Sequence, residues 1–79
     1  ILEYRAQAGC RAAGRSLREL SFPRGAIVAA VLHKGRTAIA HGDTVIRPGD
    51  RVIVFALPEA TSEVEALFGT PVRRRVGAP

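Results

Sequence analysis

Two histidines, His33 and His41, bracket a stretch that also carries Lys34 and Arg36. An imidazole stacks on a nucleobase or bonds a phosphate, and an ammonium and a guanidinium beside it add charge-assisted donors. These residues are therefore candidates for contact with an anionic ligand, set against the plainer reading of solvated histidines near a turn. Zinc does not fit, because two histidines and the distant Cys10 lack a recognisable ligand spacing. Cys10 sits beside Arg11 in a glycine-bounded loop, and no general base lies near it in sequence to activate it as a nucleophile. No Ser/His/Asp order and no carboxylate pair stands out. The sequence predicts no catalytic residues and no enzyme.

Gly42-Asp43 and Gly49-Asp50 are the sharpest local signal. They read first as turn chemistry, in which glycine supplies the backbone angle and aspartate bonds nearby N–H groups. A hard cation would need more converging oxygens, so no metal site is expected. A similar Gly-Asp rhythm occurs in biotinyl and lipoyl carrier domains. Those carry a modifiable lysine in a tight hairpin, usually beside methionine. Lys34, the only lysine, lacks that setting, and the chain has no methionine.

The elements that must position these groups follow from periodicity. Leu2, Tyr4, Ala6 and Ala8 alternate with polar residues, the mark of a half-buried strand. Ser16-Leu17-Arg18-Glu19 fits a capping box opening a helix that is short, since Pro23 disfavours helix at Phe22. Residues 26–32 are apolar and rich in β-branched types, which predicts a central strand. Lys34-Gly35 suits a two-residue hairpin turn, with residues 37–40 as the returning strand. Pro48-Gly49 suits the centre of a type II turn leading into a second central strand over residues 52–57. Pro58 opens a helix whose Ala60, Val64, Leu67 and Phe68 share one face, and Gly69 closes it. The predicted fold is α+β: a small βαβββα domain with one mixed or antiparallel sheet and two helices. It should span residues 1–69, with residues 70–79 as a flexible basic tail.

Both central strands are apolar on each face, and two short helices can cover only one side of their sheet. The other side is then an exposed apolar patch, and such patches mark interfaces. Self-association or packing on another domain follows before any family is considered. Ile27, Val28, Val31 and Leu32 read as core by default, but on a strand apolar on both faces some must face a partner or ligand, and the sequence leaves open which alternate set does so.

The chain has 79 residues, 47% of them hydrophobic, with a formal net charge of +5. Its arginines are scattered, and only Arg73, Arg74 and Arg75 run together. With few interleaved aromatics, no nucleic-acid partner is expected. The longest apolar run is far shorter than a membrane span. The missing methionine and the strand-like start predict an excised piece of a longer protein.

Three segments carry a resemblance. Gly14-Arg15-Ser16-Leu17-Arg18-Glu19-Leu20 resembles the G-K-x-L-x-E-L opening of TrkA-C (RCK C-terminal) domains. Gly25-Ala26-Ile27-Val28-Ala29-Ala30-Val31 resembles their G-x-x-I-x-A-I strand. The stretch from Gly42 to Phe55 is similar to their G-D-T-V-I-x-P-G-D-R-V-I-V-F segment. The family often has proline where this chain has Ala40.

The resemblance implies a regulatory, dimerising domain of a potassium or other cation transport protein. It implies a homodimer, a membrane cation transporter or channel subunit as partner, and an N-terminal Rossmann domain in the full-length chain. It places the domain in the cytoplasm, peripheral to the inner face of the membrane. It implies no cofactor in this domain but a nucleotide ligand such as cyclic di-AMP in some members. The ligand-binding candidates are then Ile27, Val28, Leu32, His33, Lys34, Arg36 and His41. The competing expectation is a purely structural assembly domain that binds nothing small.

Overall fold

Lys34 and Gly35 both adopt positive φ, 48° and 80°, as the tightest hairpin turn of right-twisted strands requires. They join β2, Ala26–His33, to β3, Arg36–Ile39. The remaining elements are β1 (Leu2–Arg5), β4 (Arg51–Ala56), helix α1 (Thr61–Phe68) and the two-residue strand β5 (Arg73–Arg74). Single 3-10 turns occupy Leu17–Glu19 and Pro58–Ala60. This computed structural model describes residues 1–69 and the backbone of residues 73 and 74. The expectation of a flexible basic tail over residues 70–79 otherwise lies outside the described residues.

The strands form one sheet in the order β3-β2-β4-β1-β5. Every neighbouring pair is antiparallel, so the α+β expectation stands and its mixed alternative drops out. The expected first helix is a single 3-10 turn. Its start is capped as the sequence indicates: the Glu19 carboxylate accepts from the Ser16 N–H at 2.9 Å and from the Ser16 hydroxyl at 3.0 Å. β1 is shorter than the alternation predicts; Ala8 is exposed and lies past the strand. Pro48-Gly49 makes the expected turn, with Gly49 at φ 92° and the Asp50 N–H bonded to the Arg47 carbonyl at 3.0 Å.

Register assigns the faces. Val28 pairs with Val54 and Val54 with Leu2; Val31 pairs with Val52 and Val52 with Tyr4. All six side chains are buried. Val64, Leu67 and Phe68 of α1 join them in one core, where the Phe68 ring stacks on Tyr4 at a centroid distance of 5.1 Å. Burying an aliphatic or aromatic side chain of this size contributes roughly 1.5–3 kcal/mol. Ala60, Val64, Leu67 and Phe68 are all buried, as their spacing requires.

Among the described residues nothing covers the opposite face in this way. Ile27 pairs with Phe55, and Ala30 stands between Ile39 and Ile53. Ile27 is 62% exposed, Ile39 82% and Phe55 46%. The expected bare apolar face is therefore present. Between Val28 and Ala30 the β2–β4 register shifts, and Ala29 has no opposite residue on β4. This bulge lets Val28 and Val31 both point into the core despite their three-residue spacing.

Candidate functional site

β2 has eight residues and β3 four, so the hairpin is lopsided. β3 pairs only with the stretch from Ala30 to His33. The Ala26–Val28 edge of β2 is left without a strand on that side, and the chain leaves the sheet at Ala40, whose N–H donates to the Ala29 carbonyl at 3.2 Å. A depression of about 350 Å³ fills this gap, lined by Leu17, Phe22, Ile27, Val28, Ala40 and neighbours, with Arg18, His41 and Gly42 at its polar side. A hydrophobic hollow with few polar groups is the usual form of a small-ligand site.

Two local devices hold the polar side in place. Leu17 and Arg18 donate their N–H groups to the carbonyls of Thr44 and Gly42, at 2.9 and 2.8 Å. This fastens the 3-10 turn to the Gly42-Asp43 loop. Within that loop His41 Nδ1 accepts from the Asp43 N–H at 3.3 Å, and the Thr44 hydroxyl accepts from the His41 N–H at 3.1 Å. The imidazole Nδ1 is thus engaged by its own loop, which fixes the ring beside the hollow.

The structure does not gather all the residues expected from the sequence. Ile27, Val28 and His41 line this depression. His33 and Arg36 line a second one of about 410 Å³, with Arg47 and Asp50. Leu32 and Lys34 line a third of about 290 Å³, with Arg51. His33 is engaged within the fold. Its Nδ1 bonds the Asp50 carboxylate, whose other oxygen accepts the Arg47 N–H at 3.0 Å. Asp50 is only 2% exposed, so this contact ties the end of β2 to the turn before β4. His33 and His41 sit in separate depressions.

Arg18, Leu17, Phe22 and Gly42 were not expected at the site. Arg18 read only as part of a helix opening, although its place one residue before Glu19 puts it in the turn that meets Gly42. Among the described residues no group of three or more His, Cys, Asp or Glu could hold a metal. No described helix is long and apolar enough to cross a membrane.

Comparison with known proteins gives the context. The TrkA-C domain model matches residues 1–69. A Trk system potassium uptake protein TrkA homolog 2 of Methanosarcina mazei is 46% identical over 68 residues, covering 86% of this chain and 15% of the relative. The Archaeoglobus fulgidus TrkA homolog is 34% identical over 76 residues, covering 96% of this chain and 17% of the relative. The chain thus spans a small fraction of the length of these relatives. Among solved structures, the RCK_C domain dimer of S. agalactiae BusR in complex with c-di-AMP superposes with a TM-score of 0.71 at 22% identity, over 84% of this chain and 91% of that one. BusR bound to its busAB-promotor DNA matches with the same TM-score over 34% of its chain. An RCK domain solved with cda gives a TM-score of 0.62 at 28% identity, over 86% of this chain and 99% of that one. The BusR likeness shows a shared fold. The family model covers the whole unit from the first strand to the end of α1, including the hairpin and both Gly-Asp turns, and the chain belongs to the TrkA-C domain family.

Proposed function

We propose that this chain is a ligand-sensing regulatory module that pairs with a second copy through its bare sheet face and takes a cyclic dinucleotide, cyclic di-AMP in particular, at the pocket where β3 ends. The observation that carries this reading is the double membership of Ile27. It belongs to the exposed apolar face and also lines the pocket, so a partner on the face reaches the rim of the ligand site. Each pocket suits one nucleotide half. The base would lie among Phe22, Ile27, Val28 and Ala40, and the phosphate at the side of Arg18 and His41. A ligand with two identical halves matches a pair of identical pockets. Leu32, His33, Lys34 and Arg36 fall outside this arrangement.

The relatives are named as potassium uptake proteins. We therefore place the module on the cytoplasmic side of a potassium transport system, coupled to a membrane cation transporter and preceded by a Rossmann domain in the full protein. Ligand bound across the pair biases its geometry, and the transporter reads that bias as a coupling free energy between two sites. A purely structural assembly role is the second reading, favoured by the bare face, which needs no ligand to serve as an interface.

A melting scan against cyclic di-AMP, ATP, ADP and NAD, with light scattering for mass, separates the two. A ligand bound only by the folded state at a hundredfold excess over Kd stabilises it by about 2.7 kcal/mol. The sensing reading expects a dimer whose melting temperature rises with cyclic di-AMP alone. A dimer unmoved by all four nucleotides supports assembly only, and a monomer sinks the self-association.

A further inference from the structure

The Arg18 guanidinium stands at the polar side of the pocket, and it is already engaged. Its Nη1 lies 3.3 Å from Oδ1 of Asp43, with both side chains 72% exposed. The two charges belong to different depressions. Arg18 lines the pocket with Gly42, whereas Asp43 lines the neighbouring depression with His33 and Arg36. The cation is therefore part of the pocket's lining, and its counter-ion is not.

Gly42 gives a second, independent view of the same arrangement. Its φ is not in the left-handed region, so glycine is not needed here for backbone angle. It leaves room. A Cβ at this position would lie 3.3 Å from both Nε and Nη2 of Arg18, tighter than an ordinary van der Waals contact. The guanidinium lies across bare backbone, close enough to Asp43 to pair and close enough to the pocket to turn into it.

We propose that Asp43 is an internal competitor for Arg18, so that the pair sets the affinity threshold of the pocket for an anionic ligand. An incoming phosphate gains Arg18 only by drawing it away from Asp43. The proposal rests on the reading of the pocket as a nucleotide site. It adds that the site is held weaker than its residues allow, so that the dimer responds to a change in ligand level instead of staying saturated. Because the pair is exposed, its competition is modest and falls with added salt; an ion pair of this kind shifts an equilibrium about two- to five-fold.

The test titrates cyclic di-AMP into the wild-type chain, Asp43→Asn, Arg18→Gln and the double variant by calorimetry at low salt. Asp43→Asn keeps the backbone N–H that His41 accepts. It is expected to tighten binding about two- to five-fold, and Arg18→Gln to weaken it. In the Arg18→Gln background the gain from Asp43→Asn should vanish, since the cycle isolates the pairwise effect from the general loss of a negative charge. Unchanged or weaker binding by Asp43→Asn overturns the proposal, as does a gain that persists without Arg18. A wild-type chain that binds no cyclic di-AMP overturns the nucleotide reading itself, a result distinct from wild-type binding that Asp43→Asn leaves unmoved.

Discussion

The two faces of this sheet are built by the same strands from nearly the same residue types, yet one is a core and the other is bare. Val28, Val31, Val52 and Val54 lie beneath α1, while Ile27, Ile39 and Phe55, larger and no less apolar, face outward. Side-chain chemistry does not separate the sets. The supply of cover does: a helix of eight residues roofs one side of five strands, and a sheet needs a second layer on each apolar face. In a domain this small the described helix leaves the other face bare, and the proposed pairing would cover it.

The sharpest way to break this contrast is to place the same charge on each face. Val54→Asp buries an unpaired carboxylate and is expected to cost about 4 kcal/mol or more, leaving no cooperative melting transition by circular dichroism. Phe55→Asp, one residue along on the other face, should retain the fold with a transition within a few degrees of wild type, while light scattering shows loss of the proposed dimer. Should Phe55→Asp unfold as completely as Val54→Asp, the bare face is part of the core and the comparison fails.

A second pair of variants carries the contrast to the aspartates of the two Gly-Asp turns. Asp50→Ala strands His33 and the Arg47 N–H, and should lower stability by roughly 1–3 kcal/mol in urea denaturation. Asp43→Ala, at an exposed site, should change it by less than about 0.5 kcal/mol. Equal losses would mean that Asp43 also has a structural duty.

The smallest effect belongs to Glu19. The Ser16 N–H, and after it the Ser16 hydroxyl, hold its carboxyl below the usual carboxylate range. A folded-state value lower than the unfolded one contributes stability above the unfolded pKa and loses it as pH falls through the folded value. Acidification from about pH 6 to about pH 3 should thus lower the protection of the Ser16 amide, its exchange rate taken relative to the intrinsic rate at the same pH. Glu19→Gln should remove that dependence; an amide equally protected in wild type at both ends of the range would refute the assignment.

Much of the fold was legible because its signals are local. Lys34-Gly35, Pro48-Gly49 and the Ser16–Glu19 cap each declare themselves within four residues, and the apolar face of α1 within nine. The bare face was legible by counting cover. The inward set on β2 was not, because the unpaired Ala29 breaks the period of two on which such a reading depends. The site was only partly legible for a related reason. Ile27 and Val28 were expected from a two-sided strand and His41 from its chemistry, and these three do meet. His33 went to Asp50, seventeen residues away, and Arg18 is held at the depression by Gly42 and Asp43, neither of which a local pattern connects to it.

The bulge at Ala29 has a meaning for how such a pocket arises. The strand residues on either side of it, Val28 and Ala30, face the same ways they would if Ala29 were absent, so the core does not depend on it. What depends on it is the carbonyl that receives the Ala40 N–H where the chain turns out of the sheet. In the language of gene variation, one wall of the depression is anchored on a single codon. Changing that codon should alter how the chain leaves the sheet at Ala40 while the hydrophobic layer beneath stays as it is, so the shape of the depression is separable from the core by a single mutational step.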